Sequence, residues 1–310
     1  MERVHVPVLL EATIEALAIK PDGYYIDATF GRGGHSETIL ENLGKDGKLL
    51  VIDKDPEAIA AARALNDSRI IIKHGSFADL NQFVAEEDWI GKVNGILMDL
   101  GVSSPQLDTA ERGFSFRLDG PLDMRMNPEA GISAKDWLAT VDATDLADVI
   151  WRLGEERHAR RIARVIIAER EKNPIETTKQ LADLVAKVVR PKPNQRIHVA
   201  TKTFQAIRIY LNDELTDLEK ALAGAMNVLA PEGRLVVMSF HSLEDRIVKR
   251  FMVEKSRGEQ MPRNLPIKNV DVVCPMKVIK LNLKASEDEI DQNPRARSVR
   301  LRVAEKIPCD

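Results

Sequence analysis

The sequence predicts an α/β protein that contains a mostly parallel sheet and an inserted all-helical domain. Apolar runs typical of buried strands alternate with helical patterns over residues 24–99. Such alternation is typical of parallel strands connected by helices on both faces of a sheet. The same alternation resumes near residue 203, whereas residues 133–189 show helical patterns only. The helical stretch therefore interrupts the α/β pattern.

The composition is typical of a globular protein from a reducing compartment. The chain has 310 residues, of which 44% are hydrophobic and 30% charged, and it is long enough for one large domain or two ordinary ones. Its two cysteines, Cys274 and Cys309, show neither a zinc-type spacing nor a disulfide framework, so we expect a reducing compartment. We assign no residue to a metal, and the sequence leaves metal dependence open. No apolar run approaches the roughly 18 residues of a membrane span, and no signal-peptide pattern opens the chain. We expect a cytoplasmic protein that does not bind a membrane.

Turn and cap residues separate the first group of elements. Pro21-Asp22-Gly23 is a turn sequence, Gly44 suits the end of a helix, and Pro56 suits a first helical position. The patterns predict, in order, a helix at 8–18, a strand at 24–29, a helix at 36–43, a strand at 48–53, a helix at 57–65, a strand at 69–73, a helix at 78–90 and a strand at 93–99.

A break in this pattern marks the expected domain boundaries. Residues 101–128 lack periodicity but carry aromatic, methionine and arginine side chains, so we expect a functional loop rather than disorder. The later patterns predict helices at 133–139, 143–153, 156–171, 179–189, 203–211 and 214–229, a strand at 234–240, a helix at 246–255, and an antiparallel pair of strands at 277–283 and 298–303. We expect residues 1–107 and 205–310 to form one discontinuous domain, and residues 108–204 to form the inserted helical domain.

Four predicted strands end in residues that suit a ligand site. Parallel strands present their carboxyl ends at one edge of a sheet, and ligands bind there. These ends carry the glycine-rich segment 31–35, Asp53, Phe77 and Asp99. Glycines permit a sharp turn and a close approach of the backbone to a ligand, and an acid at the second strand end accepts hydrogen bonds from ribose hydroxyls. NAD and S-adenosylmethionine both contain such a ribose, so both stay open at this point.

The spacing of the glycines favours the smaller of these ligands. A dinucleotide-binding loop that began at Gly31 would need a glycine at position 36, which is Ser36, and His35 occupies space that a pyrophosphate needs. A ligand without phosphates is therefore favoured. Asp27 is either a partner for a positively charged ligand or a carboxylate bound to loop amides. His35 and His241 both have a structural alternative as residues at a helix start.

A basic segment lies within the helical region. Residues 151–210 contain 14 Lys/Arg and 6 Asp/Glu, a local charge of +8 in a chain of net charge −3. Four arginines of the predicted helix at 156–171 share one face, and further cations follow along the chain: Arg157, Arg160, Arg161 and Arg164, then Lys192, Arg196 and Lys202. The segment is either a surface that contacts nucleic-acid phosphates or a solvated helix face.

Seven segments together resemble one known family, the MraW/RsmH family. They are DATFGRGGHS at 27–36, DLGVSSPQLD at 99–108, ERGFSF at 111–116, GPLDMRM at 120–126, GEER at 154–157, SFHSLEDRIVKRF at 239–251 and NPRARS at 293–298. The resemblance extends from about residue 5 to residue 304. Several of these motifs are long and unusual, which makes the resemblance specific.

The resemblance implies an activity, a partner and a fold. Members of this family are bacterial methyltransferases that use S-adenosylmethionine to methylate the exocyclic amino nitrogen, N4, of a cytidine in 16S rRNA. The resemblance therefore implies this RNA, within the small ribosomal subunit, as the partner. The implied fold is the Rossmann-like class I methyltransferase fold, a seven-stranded sheet whose last pair is antiparallel. The implied cofactor contacts are Gly33, Gly34, His35, Asp53, Phe77, Asp99 and Gln106.

The chemistry of amino methylation indicates further candidates. The cytosine amino group is a poor nucleophile, so an enzyme must align it with the methyl–sulfur bond and accept its proton. Asp99 or Ser104 is the expected acceptor. Phe114 and Phe116, with Arg117 and Arg125 nearby in sequence, are candidates for contacting the base. The alternative is that these aromatic rings pack on the core.

Two other functional classes stay open on the residues alone. A non-catalytic RNA-binding module would use only the basic segment, and an NAD-dependent dehydrogenase would use only the fold. The missing third glycine counts against the dehydrogenase. The oligomeric state is also open, with a homodimer among the alternatives.

Overall fold

The structure, a computed structural model, describes residues 7–191, 197–257 and 274–308. Lys192, Arg196 and Cys309 lie outside these residues. The chain divides into two compact units: Met1–Gly101 together with Leu215–Asp310, and Val102–Glu214. In the part that the structure describes, no helix is long and apolar enough to cross a membrane.

The first unit is built on one sheet, to which the described residues contribute seven strands. The strands are β1 Tyr24–Asp27, β2 Lys48–Asp53, β3 Ile70–His74, β4 Val93–Asp99, β5 Leu229–Ser239, β6 Met276–Leu283 and β7 Arg300–Lys306. Their order in the sheet is β3-β2-β1-β4-β5-β7-β6. Strands β1 to β5 run parallel, and β7 is antiparallel to both β5 and β6. The predicted fold class, a mostly parallel sheet with an antiparallel last pair, is confirmed.

The helices account for the rest of the regular structure. They are α1 Leu10–Leu17, α2 Gly34–Asn42, α3 Pro56–Ala64, α4 Leu80–Glu86, α5 Ser104–Asp108, α6 Ala134–Thr140, α7 Ala143–Gly154, α8 Ala159–Arg170, α9 Thr178–Val188, α10 Thr201–Leu211, α11 Glu214–Val228, α12 Ser242–Arg257 and α13 Glu287–Gln292. Short 3-10 turns occur at Phe77–Asp79, Ala110–Arg112 and Pro294–Ser298.

Neighbouring residues of the central strands pack on opposite faces of the sheet. Ile26 and Leu50 belong to a core cluster that includes residues of α4, α11 and α12. Tyr25, Leu49 and Val51 belong to the cluster on the other face, with residues of α1, α2 and α3. Because both faces are covered, consecutive positions within these strands are apolar rather than only alternate ones, as at residues 49–52 of β2. Full burial of each such side chain contributes about 1.5–3 kcal/mol to folding.

Three local differences from the predicted elements have physical causes. β1 ends at Asp27, because the Asp27 carboxylate accepts a hydrogen bond from the Thr29 amide and turns the chain. β7 begins at Arg300, after the 3-10 turn that Pro294 opens. Helix α13 was not predicted, because it is short and acidic and has no apolar periodicity; the Ser286 hydroxyl caps its first turn.

The second unit has a core of its own. Residues of helices α6 to α10 form a single cluster of buried apolar side chains. Phe204, Ala206 and Ile207 of α10 belong to this cluster, although the sequence pattern assigned α10 to the resumed α/β domain. The helical unit therefore spans Val102–Glu214, where the sequence led us to expect 108–204. Part of the stretch expected to be irregular forms α5.

Two glycines of the second unit provide a matched test of its packing. Both have positive φ, 72° at Gly113 and 75° at Gly131. A Cβ at Gly113 would lie 2.4 Å from the Pro121 carbonyl oxygen, whereas a Cβ at Gly131 would meet nothing within 4 Å. We expect Gly113→Ala to lower the free energy of unfolding by about 3 kcal/mol, from backbone strain plus overpacking. Gly131→Ala should cost only about 1 kcal/mol, from backbone strain alone.

Chemical denaturation of the full chain, followed by far-UV circular dichroism, measures both values. Equal destabilisation by the two substitutions would contradict the tight packing of the turn at Gly113.

Candidate active site

The glycine-rich loop after β1 forms one wall of the site. Gly31 and Gly33 have φ of 58° and 86°, in the left-handed region that favours glycine. A Cβ at Gly33 would lie 2.8 Å from the Phe30 ring, and one at Gly34 would lie 2.4 Å from Pro7. Helix α2 begins at Gly34, directly after the turn. The loop is therefore a tight turn whose backbone carries no side chain at Gly33 and Gly34.

Asp53, at the end of β2, joins this loop to the neighbouring strand. Its Oδ2 accepts a hydrogen bond from the Gly31 amide at 2.8 Å, and its Oδ1 accepts one from the Asp55 amide at 2.8 Å. Burial raises the pKa of Asp53 above its ordinary value. Each carboxylate oxygen accepts more than one hydrogen bond, so Asp53 retains capacity for the hydroxyls of a ligand.

Asp27 is a structural acid. Its side chain is 1% exposed, and it accepts hydrogen bonds from the Ser36 hydroxyl at 2.7 Å and from the Thr29 amide at 3.1 Å. Burial raises its pKa to about 6, against the lowering effect of these bonds. Of the two roles that the sequence left open, the structure favours the carboxylate bound within the loop.

Asp99, at the end of β4, differs from the other two acids because part of its carboxylate lacks a partner. Its Oδ1 is buried and has no hydrogen-bond partner among the described residues. Its amide donates to the Thr29 hydroxyl at 2.6 Å, which fixes the backbone beside the glycine loop. The pKa of Asp99 is raised to about 8. Burial is the largest cause, and the negative charges of Asp27 and Glu244 add to it. A ligand that brought positive charge to Asp99 would stabilise its ionised form.

His35 lies between the start of the chain's first helix and Asp99. The ring is 6% exposed, and its Nε2 lies 3.2 Å from the Val8 carbonyl oxygen, which assigns the proton to Nε2. Nδ1 lies 3.9 Å from Asp99 Oδ2, too far for a direct hydrogen bond. His35 therefore has a structural contact to Val8 and also borders the candidate site.

A polar cluster at the ends of β2 and β3 was missed from the sequence. The Asp217 carboxylate, on α11, lies 2.5 Å from Lys54 Nζ and accepts a hydrogen bond from the Ser76 hydroxyl at 2.7 Å. The next residue, Phe77, is half-buried. Asp217 is a polar residue in an amphipathic helix, so no local signal distinguished it. The cluster fixes the strand end that carries Phe77.

His241 and Glu244 form a reciprocal cap at the start of α12. Glu244 Oε2 accepts hydrogen bonds from the amides of Phe240 at 2.9 Å and His241 at 3.2 Å. His241 Nδ1 in turn accepts from the Glu244 amide at 3.4 Å. This arrangement satisfies amides that a helix start leaves without partners. It supports the structural alternative for His241.

The predicted residues of the second unit near α5 are mostly packed. Ser104 is the first residue of α5, and Gln106 Oε1 accepts a hydrogen bond from the Ser103 amide at 3.0 Å, as part of a capping box. Phe114 is 6% exposed and belongs to the core. The structure therefore favours the packing alternative for Phe114.

Phe116 and Arg125 each have partners within the second unit. The Phe116 ring lies 4.7 Å from the His198 ring and 4.8 Å from the Phe204 ring, measured between centroids, but it is only half-buried. Arg125 Nη2 lies 2.7 Å from Asp123 Oδ2. The charge of Arg125 is thus partly balanced by its neighbour.

The basic helix begins later than the sequence pattern predicted. α8 starts at Ala159 because the Glu156 carboxylate accepts hydrogen bonds from the His158 amide at 2.8 Å and the His158 ring at 2.9 Å. Arg157 therefore precedes the helix, and the prediction that it belongs to the helical face was wrong. Arg157, Arg160, Arg161 and Arg164 are all exposed, and the opposite face of α8 is buried in the core.

Comparison with known proteins assigns the chain to a family. A sequence model described as the MraW methylase family matches residues 2–307. The chain belongs to the MraW methylase family. Two relatives, from Shewanella denitrificans and Shewanella amazonensis, are each named "Ribosomal RNA small subunit methyltransferase H". They are 53% and 54% identical to this chain over 309 and 307 residues, which is 99% and 98% of this chain and 98% of each relative. A solved rRNA methylase from Streptococcus thermophilus aligns with a TM-score of 0.40 at 11% identity, covering 98% of this chain and 100% of that one.

The raised pKa of Asp99 predicts how its removal changes the stability of the ligand-free methylase. The unfolded chain releases the Asp99 proton near pH 3.9, whereas the folded protein holds it up to about pH 8. Between these values ionisation favours the unfolded chain, so this group lowers stability as the pH rises. We expect Asp99→Asn to raise the melting temperature, by a margin that grows from pH 5 to pH 8, reaching about 5 °C, and then levels off.

Differential scanning calorimetry without added ligand measures this margin. Asp46→Asn, at an exposed position, is the matched control and should leave the melting temperature unchanged at every pH. A lower melting temperature for Asp99→Asn across this range would contradict the unfavourable burial of its charge.

Proposed function

We propose that this chain transfers a methyl group from S-adenosylmethionine to the exocyclic amino nitrogen, N4, of a cytidine in 16S rRNA of the small ribosomal subunit. The observation that carries the proposal is the Asp99 carboxylate beside the glycine loop, whose buried Oδ1 has no partner among the described residues, in a chain that matches the MraW methylase family over residues 2–307. The names of the two Shewanella relatives support small-subunit rRNA as the substrate. The proposed compartment is the bacterial cytoplasm, where that RNA is found.

The residues at the sheet edge fit S-adenosylmethionine. Its ribose suits Asp53, whose oxygens are held by two amides but retain lone pairs. Its ammonium and sulfonium charges suit Asp99, whose buried Oδ1 has no partner in the described part of the chain. The residues that we propose to hold it are those that the sequence indicated: Gly33, Gly34, His35, Asp53, Phe77, Asp99 and Gln106.

Asp99 is the residue that we propose as the proton acceptor. S-adenosylmethionine supplies a methyl group bonded to a positively charged sulfur. As the amino nitrogen forms its bond to that carbon, the sulfur keeps the bonding electron pair and an N4 proton becomes acidic. The Asp99 carboxylate accepts this proton. In the ligand-free protein the pKa of Asp99 is about 8, and the positive charge of bound S-adenosylmethionine would lower it, which leaves an ionised carboxylate that is able to accept the proton. Ser104 remains the alternative acceptor, at the start of α5.

The second unit supplies the proposed RNA contacts. Arg157, Arg160, Arg161 and Arg164 are exposed and suit the phosphates of the backbone. Phe116 is only half-buried, so it is the proposed aromatic contact, whereas Phe114 is buried in the core of the unit. Arg125, already paired with Asp123, orients the same loop.

Methyl transfer from labelled S-adenosylmethionine to small ribosomal subunits from cells lacking this protein tests the function. We expect one modified nucleoside, identified as N4-methylcytidine by chromatography against synthetic standards and mass spectrometry. At saturating cofactor, Asp99→Asn should lower kcat at least about a hundredfold, because it removes the proton acceptor. Ser104→Ala should lower it less than about tenfold.

The matched control in this assay is again Asp46→Asn, which should retain normal turnover. Undiminished kcat for Asp99→Asn would reject Asp99 as the acceptor. Label on a ring carbon or on ribose would reject the proposed target atom.

Charge reversal on α8 tests the RNA-binding role of this helix. We expect Arg160→Glu combined with Arg164→Glu to raise KM for RNA about tenfold or more, with KM for S-adenosylmethionine unchanged. The slope of log KM against log salt should weaken by about 0.7 per lost phosphate contact. Lys45→Glu with Arg63→Glu reverses two exposed charges of the first unit and should change neither quantity. If the two double variants behaved identically, the arginines of α8 would be a solvated helix face without a role in RNA binding.

A further inference from the structure

A basic pocket in the first unit, lined in part by Phe240 and His241, contains none of the residues proposed above to hold the cofactor. It has a volume of about 290 Å³ and lies where β5 ends, α12 begins and β7 starts. Lys284, Arg297 and Arg300 line it, together with Asp245 and Ser298. The segment NPRARS, one of the motifs that carried the family resemblance, supplies Arg297 and Ser298.

The positively charged side chains that line this pocket are not paired with acidic side chains among the described residues. Lys284 and Arg297 are exposed, and neither makes an ion pair or hydrogen bond to an acidic side chain among the described residues. Arg300 donates a hydrogen bond from Nη1 to the neutral Asn282 side chain at 2.7 Å. Three cations in a chain of net charge −3 are therefore concentrated around one cavity.

The one acid that lines the pocket is already paired. Asp245 accepts two hydrogen bonds from the guanidinium of Arg302, from Nε at 2.8 Å and from Nη2 at 3.0 Å. Arg302 is 4% exposed, so this bidentate pair is a fixed part of the wall. Asp245 thus offsets Arg302 and leaves the three other cations unopposed. A pocket of this charge suits an anion with several acceptor oxygens, such as a phosphate group.

The register of the sheet places this pocket close to Asp99. Asp99 pairs with Met238 of β5, and Met238 pairs with Leu301 of β7, the residue after Arg300. Two strand spacings separate Asp99 from Leu301, a distance of about 10 Å. Both lie at the edge of the sheet where the parallel strands end. Nucleotides that flank a base held at Asp99 lie within this distance.

We propose that this pocket binds a phosphodiester of the RNA strand next to the methylated cytidine. The proposal rests on RNA being the substrate, and it adds a contact in the first unit to those proposed for α8. Arg297, Arg300 and Lys284 donate hydrogen bonds to the phosphate oxygens, and the contact fixes which nucleotide is presented to Asp99. Guanidinium groups favour such planar, multidentate recognition of phosphate.

Backbone neutralisation combined with mutation tests the contact directly. The probe is a short single-stranded RNA with one cytidine, in which each phosphate in turn is replaced by an uncharged methylphosphonate. We expect the wild-type protein to bind about tenfold more weakly when one phosphate near the cytidine is neutralised. Lys284→Gln with Arg297→Gln should bind the unmodified RNA about tenfold more weakly and should no longer respond to neutralisation at that position. Fluorescence anisotropy at fixed salt measures both.

The control carries the same charge change elsewhere. Lys45→Gln with Arg63→Gln, at exposed positions of the same unit, should bind and respond as the wild type does. The affinity of both double variants for S-adenosylmethionine, measured by calorimetry, should be unchanged. This measurement shows that the first unit is folded in each variant. If Lys284→Gln with Arg297→Gln binds RNA as the wild type does, or keeps its sensitivity to every methylphosphonate, the proposal is overturned. Inorganic phosphate that binds the wild type without competing with RNA would likewise overturn it in favour of a free anion.

Failure of the enzymatic function gives a different pattern. A wild-type protein that methylates no RNA yet loses affinity at one methylphosphonate, with the loss abolished in the double variant, would reject the proposed function and support the pocket. A wild-type protein that methylates cytidine while the double variant binds normally would support the function and reject the pocket.

Discussion

Three carboxylates at one edge of the sheet are withdrawn from solvent, Asp27 fully and Asp53 and Asp99 in part, and this constrains how the site is organised. The last residues of β1, β2 and β4 are Asp27, Asp53 and Asp99. These strands run parallel and are neighbours in the sheet, so their ends lie side by side. Each buried charge costs free energy unless hydrogen bonds or an opposite charge offset it. Asp27 receives a hydroxyl and an amide, and Asp53 receives two amides. Asp99 Oδ1 receives nothing from the described residues, and this difference separates the acids that hold the loop together from the one that we propose acts on the substrate.

The sheet was largely predictable from the sequence because its strands are buried on both faces. β2 and β4 have the predicted bounds, since a continuous apolar run that stops at an aspartate leaves little ambiguity. Helix α13 was missed because capping by Ser286, rather than apolar periodicity, defines it. The end of the helical unit was also missed. The sequence pattern of α10 shows that the helix is amphipathic, but it does not show which of the two cores its apolar face contacts. The folded structure shows that this face packs in the core of the second unit.

The positions of Asp53 and Asp99 at strand ends were predictable, whereas the contacts around them were much less so. Strand ends identified Asp53 and Asp99, because a parallel sheet presents those ends together. Nothing local indicated that Ser36 bonds to Asp27, or that Asp217 of α11 fixes the end of β3, because both contacts depend on the folded chain. Likewise the spacing of arginines fitted a helical face, but the Glu156–His158 contact starts α8 after Arg157. The spacing of residues in the sequence indicates which of them share a helix face, but it does not indicate the residue at which the helix begins.

The insertion of Val102–Glu214 between β4 and β5 has a consequence for synthesis of the chain. A ribosome completes β4 before it makes the helical unit, and β5, the strand that pairs with β4 on its other side, follows only afterwards. During that interval one edge of β4 is unpaired. Its Ile96 and Met98 then lack the contacts with the β5 residues that belong to the same core cluster in the folded protein. Unpaired apolar edges are sites of aggregation. While the helical unit is being translated, the edge of β4 is therefore open to pairing with another chain.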